Sequence, residues 1–316
     1  MMKIPDWSAV RANLRDAIVL KAEDLYLTAG GDLGFELARR LTGVSMPEGL
    51  PSDMFAGPLL EEIAVERWMV TTHVSRIIEM LDARGFGYRP GDGAVDGDFL
   101  QQEHIDFVEL FLATLPDVAL GGVDWTGVRA GPVRDLLQVA TAWHRLARVV
   151  DTGLHGEFDL EELGVGDLAL IAGVEVRSMR NLVGPDRSIR TVGTARVPRS
   201  PLSGRAFVAV NRVDALAWLR ERKGFWLAPL KPGLVSNRLS NISDQNVRSR
   251  AAVLAGLIAG KSLQSWAASM DVSEAELRRV ADGVGDPALG KRLTEQVVTT
   301  DLERSSVTAS GLTPGG

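Results

Sequence analysis

Val165-Gly166-Asp167-Leu168-Ala169-Leu170-Ile171-Ala172-Gly173-Val174-Glu175-Val176-Arg177-Ser178-Met179-Arg180-Asn181-Leu182 has small, glycine and apolar residues at the spacing of two short helices joined by a tight turn. A small residue, Ala169, stands where two short helices would cross. Four positions on, Gly173 can take the positive φ that a tight turn between them needs. Val174 follows as an apolar plug, and Met179 with Leu182 supplies the inner side of the second helix. That leaves Arg177, Ser178, Arg180 and Asn181 facing outward. Arginine and asparagine make paired hydrogen bonds to guanine and adenine edges in a major groove. The stretch therefore predicts a helix-turn-helix whose second helix reads double-stranded DNA.

The residues that follow extend the motif. Arg187 to Val192 and Gly204 to Val210 have the composition of two short strands, and Arg196, Arg199 and Arg205 lie in and beside the loop between them. Arg187, Arg190, Arg196, Arg199 and Arg205 are the candidate ligands of phosphates or a minor groove. Asp214 to Arg222 then reads as an amphipathic helix with Leu216, Ala217 and Leu219 inward. Helix-turn-helix, two-stranded wing and short helix follow one another in that order. Leu168-Ala169, Ala172-Gly173-Val174, Arg177 to Asn181, Gly204-Arg205 with Phe207-Val208, and Asp214 to Leu219 together resemble the winged helix of MerR regulators and excisionase-like proteins, over about residues 163–225. The resemblance implies DNA binding, as a dimer or within a multiprotein assembly. The chain departs from it in a long, Pro-interrupted wing and in lacking a long dimerisation helix directly after the fold.

A second motif lies at Ser262 to Gly283. Ala267 is the crossing residue, and Asp271 takes the turn position, where Asp tolerates positive φ better than most residues. Val272 and Leu277 are the plugs. Ser273 with Glu276 makes a capping box. The segment resembles the lambda-repressor type of helix-turn-helix over about residues 248–295. Its outer face carries Glu274 and Glu276 ahead of Arg278 and Arg279. Those two arginines are further candidate DNA contacts, although carboxylates beside phosphates are repelled. The bland alternative is a small helical domain for dimerisation or for binding another protein.

Charge singles out the same middle region. Residues 1–163 carry a net −13, residues 164–250 a net +9 (15 Lys+Arg against 6 Asp+Glu) and residues 251–316 a net −2. A basic island in an acidic chain points to a polyanion site, against the alternative of a solvated basic face. The first 150 residues read as helices: Trp7 to Leu27, Ile63 to Leu81, Phe99 to Leu115 opened by Asp98 and Gln101, and Val133 to Val150 with Pro132 in the first turn. Ile63 to Phe86 resembles a MarR-type winged helix, but Trp68 occupies the turn position, so one continuous helix ending near Gly85 is the preferred reading.

The expected architecture is mainly α and multidomain. An acidic helical domain covers 1–150 and the winged helix 163–225. A linker covers 226–246, the second helix-turn-helix-like domain 247–298 and a disordered tail 299–316. The acidic domain would oligomerise, sense a ligand or contact another protein.

Several function classes are excluded or disfavoured. With no cysteine, disulfides, zinc fingers and thiol catalysis are out. No apolar run approaches the length of a membrane span, and the N-terminus has no apolar leader, so a cytoplasmic protein is expected. His73, His104, His144 and His155 are scattered without metal-ligand spacing. Asp92, Asp96, Asp98 and Glu103 follow a calcium-loop spacing only in part, with Ala94 in place of one ligand. No cofactor or metal is expected, and no acid/base pair or nucleophile motif points to an enzyme. The expected function is sequence-specific, DNA-binding transcriptional regulation, with self-association or another transcription protein as further partner. The competitors are a protein-interaction adaptor and an enzyme with its site in the N-terminal helices.

Overall fold

The computed structural model describes residues 4–43, 62–83, 97–116, 128–158, 162–195, 207–223, 225, 227, 230 and 232–310. It is mainly helical, with one small antiparallel sheet. Two compact units are present.

The first unit takes Lys3–Asp82 and Asp98–Ala140. Helix α1 (Trp7–Ala29) buries Val10, Leu14, Ile18 and Ala22 along one face. Gly30, at φ 64°, turns the chain into α2 (Gly31–Thr42). The two helices come close enough that a Cβ on Gly34 would sit 2.6 Å from the Tyr26 carbonyl. Ile18, Val19, Ala22, Ala38, Ile63 and Val65 form one apolar cluster, with Trp68 packed against it. That packing breaks the helix expected from Ile63. Val65–Arg67 is a 3-10 turn, Trp68 is extended, and α3 starts only at Met69, ending at Ala83. Helix α4 is Gly97–Ala113, and α5, Pro132–Leu154, has its proline in the first turn. Buried Asn13 ties these parts together. Its Nδ2 donates to the Val128 carbonyl at 3.2 Å, and its Oδ1 accepts from Val133 N at 3.1 Å. Asp92 and Asp96 lie outside the described residues, as do the side chains of Asp98 and Gln101.

The second unit is dominated by Thr141–Gly316. Strand β1 (Leu163–Gly164) leads directly into α6 (Val165–Ala172), which ends at Gly173, φ 65° and ψ 38°. Helix α7 is Val176–Arg180. Strands β2 (Thr191–Ala195) and β3 (Phe207–Val210) pair antiparallel, with an irregularity between Thr191 and Gly193, and β1 pairs with the other edge of β3. The sheet thus has three strands in the order β1-β3-β2, where the sequence predicted two. Helix α8 (Arg212–Arg220) follows, its N-terminus capped by Asn211.

Among the described residues, five further helices follow: α9 (Leu234–Ser240), α10 (Gln245–Ile258), α11 (Leu263–Met270), α12 (Glu274–Ala281) and α13 (Pro287–Ser310). Two expectations are corrected here. The segment 226–246 is not simply a linker, because α9 forms within it and Asp301 accepts a 2.9 Å hydrogen bond from Ser236 N. Nor is 299–316 all tail, because α13 continues to Ser310. Among the described residues, no helix is long and apolar enough to cross a membrane.

Candidate nucleic-acid interface

Gly173 lies in the left-handed region, where a side chain would be strained, so the chain turns there and α6 and α7 remain separate helices. Val174 N donates to the Ala169 carbonyl at 3.0 Å, closing the turn. Asp167 fixes the entry to α6. Its Oδ2 accepts from Gly164 N at 3.0 Å and its Oδ1 from Arg145 Nη1 at 2.9 Å. Burial pushes the Asp167 carboxyl up, against the opposing pull of Arg145.

Met179 is fully buried on the inner side of α7. Arg177, Ser178, Arg180 and Asn181 are exposed, and so is Arg187 in the turn before β2. None of the three arginines pairs with a carboxylate among the described residues. Exposed Glu175 and Asp186 accompany them. Arg196, Arg199 and Arg205 fall outside the described residues.

Arg190 is placed differently from the sequence expectation. Its guanidinium lies between two carboxylates, with Nε 2.7 Å from Asp214 Oδ2, Nη2 3.3 Å from Asp282 Oδ1, and a close Nη1 contact to Asp282 Oδ2. These partners raise its pKa, Asp214 contributing most. Arg190 is therefore withdrawn from the candidate phosphate ligands. Arg278 is withdrawn as well, since its Nη1 is bonded to Asp214 Oδ1. Arg279 remains exposed on α12.

Other arginines of the basic island are also committed to the fold. Arg212 donates to the Val149 and Phe158 carbonyls, and Arg220 to those of Leu257 and Ile258. Arg238 pairs with Asp151. Arg248 donates to the Ile242 carbonyl and Arg250 to that of Ala281. Of the fifteen cations in 164–250, six are thus spent on internal partners and four lie outside the described residues. Five face outward: Arg177, Arg180, Arg187, Arg222 and Lys223. The guanidinium of Arg222 stacks on the Trp218 ring at 4.0 Å.

The second motif has a comparable turn but a different surface. Asp271 (φ 55°, ψ 48°) occupies the left-handed position, the one non-glycine residue with positive φ among the described residues. Ser273 Oγ accepts from Glu276 N at 3.2 Å, and Glu276 Oε2 accepts from Ser273 N at 2.8 Å. The backbone hydrogen bond from Ser273 leads the causes that hold the Glu276 carboxyl below its ordinary value. The exposed start of α12 thus keeps a negative charge.

One arrangement escaped the sequence reading. His73 on α3 and His104 on α4 meet with Nδ1 atoms 2.8 Å apart, and the His73 ring stacks on Phe107 at 4.1 Å. They are 31 residues apart in the chain, and no local spacing signals the pair. Burial is the main cause that lowers the His104 pKa, followed by His73. Among the described residues no group of three potential metal ligands forms. No family model, no curated protein and no solved structure matches the chain.

Proposed function

We propose that the chain is a sequence-specific DNA-binding transcriptional regulator whose reader is a winged helix-turn-helix spanning about residues 163–225. One observation carries this reading: Met179 is buried while Arg177, Ser178, Arg180 and Asn181 on the same short helix stand in solvent. A helix with its side chains is about 10–12 Å across, which a major groove about 12 Å wide admits. Arg177, Arg180 and Asn181 reach base edges, and Arg187 takes a phosphate beside them. The β2–β3 hairpin is the wing. Arg196, Arg199 and Arg205, on its loop side in sequence, extend the phosphate track.

The test is a fluorescence-anisotropy titration of the full chain against random duplex at several salt concentrations, followed by genome-wide mapping of bound sites. Arg177→Ala with Arg180→Ala is the control, because deleting 165–222 would remove Asp214 from the core. Binding that weakens steeply with salt, and sites lost in the double variant, support the reading. Absence of salt-dependent binding removes it.

A second reading, a protein-binding adaptor, has one observation in its favour: Val176, Val192 and Val208 are exposed on the same module. An adaptor would retain its partner in high salt and be indifferent to the two arginine substitutions.

A further inference from the structure

We propose that Arg278 and Asp282 are positioning residues for the wing, so that the C-terminal helix-turn-helix braces the reader and is not a second reader. This rests on the DNA-binding proposal for its functional consequence, but the contacts themselves are independent of it. Arg190 stands immediately before β2. Its backbone N donates to Asp214 Oδ2 at 3.1 Å, its Nε to the same oxygen, and its remaining guanidinium nitrogens reach both Asp214 and Asp282. Asn211, at the junction of β3 and α8, donates its N to the Arg190 carbonyl at 2.7 Å and its Nδ2 to Asp282 Oδ1 at 3.1 Å. Both ends of the hairpin are thus gathered on Asp282, 92 residues beyond Arg190.

The electrostatics explain why neither contribution from α12 is dispensable. The Asp214 side chain has no solvent exposure, and it is held by two guanidinium groups. Two arginines balance two aspartates at its centre, and Glu274 Oε2 lies 3.7 Å from Arg278 Nη2 at its exposed edge. Removing Arg278 leaves excess negative charge around a buried carboxylate, and neutralising Asp282 leaves excess positive charge on Arg190. A network closed on one fully buried carboxylate tolerates partial loss poorly. Among the described residues of the hairpin, Ala209 and Val210 are the buried ones, at the end next to Asn211. The hairpin register shifts just after Arg190, and β1 supports β3 over only two residues. A bulge bends its strand and increases the local twist, so the direction of the wing is set where Arg190 is clamped.

Two measurements on the full chain test this, using Asp282→Asn, Arg278→Met and Arg278→Lys. In hydrogen exchange, Asp282→Asn and Arg278→Met are expected to lose protection in 191–195 and 207–210 by about tenfold or more, with α10 and α13 unchanged. Arg278→Lys should restore part of it. Unchanged exchange in the hairpin, or an even rise throughout α10 to α13, overturns the brace. In duplex titrations, Arg278→Met is expected to weaken binding about tenfold while the salt slope stays as in the wild type. A slope reduced by about 0.9 would make Arg278 a phosphate ligand and overturn the inference. If the unsubstituted chain binds no duplex, the functional proposal fails, while hydrogen exchange still decides the brace. If Asp282→Asn does not fold, the two Arg278 substitutions carry the test.

Discussion

Replacing Arg187 with alanine and Arg220 with alanine removes the same charge from the same basic island, yet the two should behave as opposites. Arg187 is exposed and unpaired with any carboxylate among the described residues. If it holds a phosphate, its loss lowers the slope of log affinity against log salt by about 0.9. Between 50 and 200 mM salt the affinity of the wild type would then fall about 3.5-fold more than that of the variant, from that one contact. The fold itself should be indifferent, with a stability change within about 0.5 kcal/mol. Arg220 is half-buried, and its Nε lies 2.9 Å from the Leu257 carbonyl while Nη2 reaches that of Ile258, at the C-terminal end of α10. These are charge-assisted bonds to carbonyls of the last helical turn, where the helix dipole also favours a cation, although the Leu257 carbonyl accepts from Gly260 N at 3.0 Å as well. Their loss should cost about 1.5–3 kcal/mol of stability and leave the salt slope unchanged. Burial holds the Arg220 pKa down, but a guanidinium stays charged in proteins, so only the location of the charge differs.

Anisotropy titrations at four salt concentrations give the slopes, and urea unfolding gives the stabilities. Arg177→Ala and Arg180→Ala complete the series. An arginine paired with a guanine should cost about 1–3 kcal/mol on the preferred sequence and far less on random duplex. Equal slope changes for Arg187→Ala and Arg220→Ala would refute the reasoning that separates structural from DNA-facing arginines. So would slopes that ignore Arg177, Arg180 and Arg187 together.

The two left-handed turn positions should respond in opposite directions. Gly173→Ala is expected to destabilise by about 1–2 kcal/mol, and Asp271→Gly to stabilise by about 0.5 kcal/mol once the entropy of the added glycine is set against the relieved strain. Equal and same-signed changes in urea midpoint would remove the argument from φ. Gly256→Ala should destabilise by about 1–2 kcal/mol although alanine favours helix, because the added Cβ would meet the buried Trp266 ring at 2.2 Å; pairing it with Trp266→Leu should recover part of that loss. The lowered His104 pKa makes the unfolded chain take up the proton first, so the stability it contributes is present above about pH 6.5 and is lost as pH falls through the unfolded and then the folded value. His104→Gln should flatten the unfolding curve between about pH 7 and 5, and a slope identical to that of the wild type would mean that the pair does not govern it.

What the sequence made legible was local. Gly173 with Val174 and Met179 states the turn, the plug and the inward side within seven residues, and φ at Gly173 is a property of that residue alone. The same holds for Ser273 and Glu276, whose reciprocal cap needs only a spacing of three. What stayed hidden depends on partners far along the chain. Helix α9 follows Pro232 and Gly233 in a stretch composed like a linker, and one of the groups that satisfies its first turn is Asp301, 65 residues away from Ser236. The His73–His104 contact and the Trp68 break likewise depend on packing between elements. The basic island is the instructive case. A net of +9 counts every guanidinium as surface charge, but arginine is also a five-donor group suited to the bare carbonyls at helix ends. Arg220 and Arg250 are used in that way, Arg212 serves the Val149 and Phe158 carbonyls, and Arg190 and Arg238 close on aspartates. An arginine held inside in this way keeps its charge but cannot displace a counterion from a phosphate it does not reach. The strength of any polyanion site on this chain should therefore follow its outward-facing guanidinium groups, with Arg177, Arg180 and Arg187 first among those described.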